Sequence, residues 1–408
     1  MRDRGVKDKG KHAGRGLSEV EKCLLDLLGQ ELTGQAAWEK APSLDWEELV
    51  HIARLHGVLP LLYRSLTEGE QVPPRVKKQA EISARSVVQQ SYRLLFLSKY
   101  LLEGLEKAGI QAVLLKGVGT AGFYPVPELR KAGDVDLLLP DSSKEKQAAT
   151  VLQRLKCTEE EWQPSLHHIV YRSFEGTEIE LHTMLAEPFD NNRMNRYMEA
   201  VTAECAAHIE KADIMGVELP VLSTAYHAYE LLLHMLQHFL RSGFGLKLLC
   251  DWVVFWNRET EVQEQERYLK LVEESGVKGF SDMVTLACCQ YLGLPVERVG
   301  WMRLPKDYCV ESFLLEILEA EEFGKSSKDR MVTLRGNKIM DYVREFHHQM
   351  RLNFPKGSRC ILCWPVLWVI TLARFMRNNR KIRKTSGLAI LKKAGQRSKM
   401  MEQMKLFQ

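Results

Sequence analysis

Leu115-Lys116-Gly117-Val118-Gly119-Thr120, followed by Tyr124-Pro125, Arg130 and Gly133-Asp134-Val135-Asp136-Leu137-Leu138-Leu139, is the stretch whose reading decides the fold. The apolar run 112–115 lies between Gly109 and Gly117, which predicts a short strand entering a glycine turn. A short helix can start at that turn. A second strand then opens on two aspartates two residues apart and ends at Pro140. Side chains alternate along a strand, so Asp134 and Asp136 share a face. Two convergent carboxylates with a third nearby make a hard-oxygen site of the kind Mg2+ prefers. Glycines at the preceding turn let backbone N–H groups approach a phosphate, and a helix N-terminus there favours an anion. Taken alone, Asp134 reads as a turn-ending residue and Asp136 as part of a solvated strand. With Lys116, Arg130 and Glu180 alongside, the metal site is the better reading.

Outward from this stretch, 169–171 and 179–182 predict two more strands and 142–156 a helix. Residues 111–190 therefore read as one mixed α/β unit. Residues 17–110 read as helices. Ser18-x-x-Glu21 is a capping-box signature, Asp45-x-x-Glu48 opens a second helix, and 75–108 carries a long pattern without internal proline. Unbroken, that pattern would be about 50 Å long; two helices are the alternative. Residues 191–355 read as helical throughout, notably 225–240 and 246–256. Residues 1–16 form a disordered basic start and 356–408 an apolar, then basic, tail. The fold class is α+β, a small mixed β-sheet core flanked by N-terminal and C-terminal helical regions.

The glycine turn and Asp-x-Asp pair resemble the core pattern of the DNA polymerase β-like nucleotidyltransferase superfamily. The fuller match looks like its bacterial "uncharacterised nucleotidyltransferase" branch. It is carried by Leu115-Lys116-Gly117, Tyr124-Pro125, Arg130 and Asp134-Val135-Asp136-Leu137, with His56-Gly57-Val58-Leu59-Pro60-Leu61-Leu62 upstream. Glu180-Leu181-His182 and, further on, His234, His238, Gly243-Phe244 and Asp251 complete it. The resemblance covers roughly residues 45–260. Two departures stand out. The superfamily's Gly-Ser is replaced, either by Gly117-Val118 or by Gly119-Thr120. Glu180 stands where the branch has aspartate.

The resemblance implies Mg2+-dependent transfer of a nucleoside monophosphate from an NTP to a hydroxyl-bearing acceptor, with release of pyrophosphate. Asp134, Asp136 and Glu180 would be the catalytic carboxylates holding two Mg2+ ions, with Mn2+ as a substitute. Lys116, Gly117, Gly119, Thr120 and Arg130 would contact the nucleotide. His182, His234, His238, Lys247 and Asp251 would form an acceptor pocket. Glu178 shares a strand face with Glu180, which is preferred because Leu181-His182 follows it. Lys247 and Asp251, four residues apart, read equally as a helix pair or as cleft residues. The rival is a catalytically inactive nucleotide-binding or accessory protein that keeps the fold.

Composition supports a globular protein: 408 residues, 45% hydrophobic and 27% charged. The net charge of +4 divides into +4 on 1–16, +12 on 356–408 and −12 on 17–355. An acidic body argues against long nucleic acid as acceptor. Walker A, kinase and Gly-x-Ser-x-Gly signatures are missing. His227, His234 and His238 read as core or acceptor-pocket residues rather than zinc ligands, and His167-His168 as surface. The nine cysteines are scattered, and 1–16 has no apolar core that would make a secretory signal. Reduced thiols and a cytoplasmic location are the expectation. Cys360-x-x-Cys363 reads as a core pair. The longest apolar run, 360–373, is 14 residues, short of the roughly 20 a spanning helix needs. With Trp364 and Trp368 followed by Arg374, Arg377, Arg380, Lys381, Arg383 and Lys384, it fits an interfacial helix on the inner face of the membrane. The favoured alternative packs it on the protein's own body.

Overall fold

The computed structural model describes residues 16–34, 44–160, 168–189, 191–241, 243–302, 308–320, 346–347, 350–351, 354, 360–382 and 400–407. The basic start up to residue 15 lies outside them, as do His167, Arg383 and Lys384.

The N-terminal helices begin at the caps the sequence offers. Ser18 accepts from the Glu21 amide and Glu21 accepts from the Ser18 amide, opening α1 (Glu19–Thr33). Asp45 caps α2 (Trp46–Leu55), and α3 (Tyr63–Glu68) follows. The 75–108 pattern forms one helix rather than two: α4 (Pro74–Lys107) is continuous, capped by Ala108, with Pro74 in its first turn where no amide partner is needed. Its two halves serve two cores. Val76, Ala80 and Ala84 pack with the N-terminal helices, while Leu94, Leu101 and Leu105 back the sheet.

Among the described residues the sheet has seven strands: β1 (Val113–Leu114), β2 (Asp134–Leu138), β3 (Thr158–Glu159), β4 (His168–Arg172), β5 (Glu178–His182), β6 (Ile209–Ile214) and β7 (Val217–Leu222). Their order is β3-β4-β5-β2-β1-β7-β6, with β2/β5 and β1/β7 parallel and the other pairs antiparallel. Between the strands lie α5 (Val118–Ala121), α6 (Glu145–Arg154) and α7 (Asn192–Glu204). The C-terminal helices are α8 (Thr224–Arg241), α9 (Leu246–Trp256), α10 (Val262–Glu274), α11 (Lys278–Tyr291), α12 (Val310–Ala320) and α13 (Trp364–Ile382).

The β6–β7 hairpin corrects the helical reading of 191–355. Met215 and Gly216 both have positive φ, 53° and 80°, the signature of a two-residue hairpin turn. Glu210, Lys211, Asp213 and Glu218 obscure the alternation, and Pro220 weakens the strand pattern of β7. The sheet thus continues through residue 222, beyond the 111–190 unit.

Alternation separates the two faces of the sheet. Val135, Leu137, Ile179 and Leu181 point into the core made by α4 and α6. Asp134, Asp136, Glu178, Glu180 and His182, at the intervening positions, point the other way. The C-terminal helices supply the far wall. Leu246 at the start of α9 donates its amide to His56 Nδ1 at 3.3 Å, so the upstream His56-Gly57 motif anchors that wall.

Two tail expectations change. Cys360 and Cys363 are exposed, not core. The apolar residues of α13 and of the turn before it are not all packed on the body: Ile361 and Leu362 in the turn, and Val366, Val369, Ile370 and Leu372 in the helix, face outward. Among the described residues no helix is long and apolar enough to cross a membrane.

Candidate active site

The parallel pair β2/β5 sets the centre of the site. Its register places Asp134 beside Glu178, Asp136 beside Glu180 and Leu138 beside His182. One carboxylate oxygen from each of Asp134, Asp136 and Glu180 lies within 4.8 Å of the others. The shared face thus brings together the three acidic residues singled out from the sequence. Glu178, the competitor of Glu180, pairs instead with Arg172 at 3.1 Å.

Two cationic or proton-bearing groups bind this cluster. Lys116 Nζ is 3.1 Å from Asp136 Oδ1 and 4.0 Å from Glu180 Oε2. His182 Nε2 is 3.0 Å from Asp136 Oδ1 and 3.1 Å from Glu180 Oε2, so a proton on Nε2 serves both carboxylates. His182 therefore sits inside the carboxylate cluster rather than in a separate acceptor pocket. Burial opposes ionisation of Asp136, but Lys116 and His182 outweigh it and hold the carboxyl well below its usual range. Asp134 behaves oppositely. The adjacent Asp136 charge, then burial, push it up to about 6 against the pull of Lys116. Burial disfavours the ammonium of Lys116, yet Asp136, Glu180 and Glu230 more than compensate and keep it charged.

The glycine turn is resolved in favour of Gly117. Its φ of 62° is a left-handed value, and a Cβ there would lie 3.7 Å from Asp136 Oδ2. Gly117 borders the cleft, whereas Gly119 and Thr120 are buried in α5. A Cβ on Gly119 would lie 3.3 Å from the Leu114 carbonyl. Neither Gly119 nor Thr120 lines the cleft, so the sequence expectation for them is not met.

Arg130 borders the cleft but is tied into its wall. Its Nε and Nη2 donate to Asp251 at 3.0 and 2.7 Å, and Nη1 donates to the Lys131 carbonyl at 3.2 Å. Tyr124 donates its hydroxyl proton to the same Asp251 at 2.7 Å. This buried fork ties the loop before β2 to α9. Arg130 thus reaches the cleft already ion-paired, and Asp251 is its partner rather than a cleft-lining residue or the partner of Lys247.

The cleft over the carboxylates has a volume of about 720 Å3. His234, His238 and Lys247 line it, together with Gln237 and Phe244. Lys116 Nζ is 3.4 Å from His234 Nδ1. Burial and that ammonium hold His234 well below its usual pKa, so it is neutral. His168 lines the cleft too, with its ring 5.2 Å from that of His182. His227 lies in the core against Phe123 and Phe255.

Glu230 is the residue that sequence reasoning missed. It is buried, borders the cleft, and its Oε2 has no hydrogen-bond partner among the described residues. Burial pushes its carboxyl up to about 7, with Lys116 pulling the other way. Its spacing was the available signal: Glu230, His234 and His238 are successive i, i+4 positions of α8.

A search of the curated proteins finds no match. Among solved structures, a lincosamide antibiotic adenylyltransferase with lincomycin bound aligns over 34% of this chain and 83% of its own, at 15% identity and a TM-score of 0.23. An antigenic nucleotidyltransferase-like protein from Paracoccidioides brasiliensis aligns over 49% and 92%, at 17% identity and a TM-score of 0.31. The family model described as "uncharacterised nucleotidyltransferase" matches residues 42–293, from α2 to the end of α11 and across the whole sheet. The chain belongs to this uncharacterised nucleotidyltransferase family.

Proposed function

We propose that this nucleotidyltransferase moves a nucleoside monophosphate from an NTP to a hydroxyl-bearing acceptor in a Mg2+-dependent reaction. The observation that carries the reading is the in-register β2/β5 pair, which gathers Asp134, Asp136 and Glu180 at one end of a nucleotide-sized cleft. Small-molecule sites typically span about 300–1,000 Å3.

The residues fit a divalent cation. One carboxylate oxygen from each of the three lies within 4.8 Å of the others, a hard-oxygen donor set of the kind Mg2+ takes. The raised pKa of Asp134 points the same way, because a cation would relieve its repulsion with Asp136. Asp134, Asp136 and Glu180 would hold two Mg2+ ions, or Mn2+ in their place. Bound there, the ions supply charge neutralisation on the triphosphate and acidify the acceptor hydroxyl.

The chain's own groups do the rest. Lys116 stands beside the carboxylates as a point charge for a phosphate oxygen. The turn at Gly117 leaves the backbone open to the cleft. Neutral His234 adds a hydrogen-bonding group without adding charge. In the overall reaction the acceptor oxygen bonds to the α-phosphorus, the bond to the β-phosphate oxygen breaks, and pyrophosphate leaves. Glu230 presents a proton-exchanging carboxyl on the same wall. His238, Gln237, Phe244 and Lys247 remain for the acceptor or the base.

The second reading, a nucleotide-binding protein without catalysis, draws on one observation. Lys116 and His182 already neutralise Asp136 and Glu180 without any ion. One experiment separates the two. The protein is incubated with each NTP labelled at the α-phosphate, Mg2+ and cell extract. Transfer of label that disappears with Asp134→Ala plus Asp136→Ala is the expected result. Transfer that persists refutes the assigned site, and nucleotide binding without transfer favours the second reading.

A further inference from the structure

We propose that α13 is a docking helix that lays its outward apolar row into an anionic lipid surface. The helix has two different sides. On one, Trp364 and Trp368 pack on His347 at ring distances of 4.4 and 5.8 Å, Trp368 Nε1 donates to His347 Nδ1 at 3.1 Å, and Thr371 is buried. On the other, Val366 is 61% exposed and Val369 66%, with Ile370 beside them and Leu362, 90% exposed, in the 3-10 turn that leads into the helix. Within the helix, Val366, Val369 and Ile370 follow the i, i+3, i+4 spacing of a single helix face. A protein surface seldom leaves a continuous apolar row in water without a partner.

Charge identifies the partner. Residues 360–401 contain ten Lys or Arg and no Asp or Glu. The apolar row therefore leads into a purely cationic segment, which suits a layer with an apolar interior and an anionic surface. A second copy of α13 would set like charges against each other. The apolar part, 361–373, is about 20 Å long as a helix, enough to lie in a headgroup layer and too short to cross it. The inference stands independently of the cleft chemistry: it concerns where the enzyme works, not what it transfers.

The test sediments the full-length protein with vesicles of phosphatidylcholine, with and without phosphatidylglycerol, at low and high salt. Binding should be at least tenfold tighter to the anionic vesicles and should weaken with salt, since each cation near the surface contributes roughly fivefold. Leu362→Asp with Val366→Asp should lower binding to anionic vesicles at least tenfold. Both side chains are exposed, so the melting transition of the variant should match the parent and confirm its fold. Equal binding to both vesicle types, binding to neither, or an unaffected double variant would overturn the proposal. So would a dimer without vesicle affinity that the same substitutions dissociate, which would assign the face to a second copy. The salt series on the parent protein decides the matter even if the variant misfolds.

Discussion

Replacing Asp134 by asparagine should stabilise the metal-free protein and abolish nucleotide transfer. Asp134 lies on the same strand face as Asp136, which stays ionised because Lys116 and His182 grip it. The neighbouring charge, then burial, push the Asp134 carboxyl from 3.8 up to about 6. The sign follows from linkage. A carboxyl whose folded pKa lies above its unfolded value favours the folded state when protonated. Without metal, this group's contribution is therefore lost as pH rises from 3.8 to about 6. A displacement of about two pKa units corresponds to a ceiling of ~3 kcal/mol at neutral pH, and screening at a partly open cleft reduces it to about 1–3 kcal/mol. Asparagine keeps the shape and removes the charge. Urea denaturation at neutral pH in the presence of a chelator should show Asp134→Asn gaining that amount. Mg2+ should then stabilise the parent protein and leave the variant nearly unchanged. Asp136→Asn should do the opposite, because it strands Lys116 and His182. If Asp134→Asn is destabilising without metal, or if Mg2+ stabilises both proteins equally, the argument for a cation site fails.

Glu230 gives a second pH signature. Its carboxyl sits at about 7 against a reference of 4.5, so metal-free stability should fall as pH rises through that window. Glu230→Gln should flatten this limb in a pH series of denaturation curves; an unchanged slope would clear Glu230 of the effect. Lys116→Met should lower kcat by about a hundredfold or more while NTP still binds, as read by steady-state kinetics and equilibrium binding; undiminished turnover would remove Lys116 from the phosphate site. Breaking the buried fork with Asp251→Asn should cost about 3–5 kcal/mol in denaturation. The fraction that remains folded should keep its KM for NTP, and a raised KM would return Arg130 to the nucleotide.

Much of the centre was legible because its signals are local. The capping box at Ser18 and Glu21, the strand periodicity through Val135 and Leu137, and the two-residue spacing of Asp134 and Asp136 all act over a few residues. Each therefore appears directly as a pattern. The family resemblance supplied Glu180, and the register of two neighbouring parallel strands then brought it beside Asp136.

What escaped depends on partners far apart in the chain. Arginine and lysine read alike as phosphate cations, but Arg130 meets Asp251 across 121 residues and is neutralised there. Lys116 is paired as well, but with the cleft's own carboxylates Asp136 and Glu180, beside a neutral histidine. Gly117 and Gly119 are the same residue type two positions apart; only the course of the backbone leaves one at the cleft and buries the other. The β6–β7 hairpin belongs to the sheet because β7 pairs with β1 across a hundred residues of chain, which no short-range alternation records. Sequence alone thus determined which residue types could converge on a phosphate and a metal, since local spacing sets the direction of neighbouring side chains. The tertiary structure decided which of them keep their charge for the cleft, because a charge paired inside the wall is no longer available to a ligand.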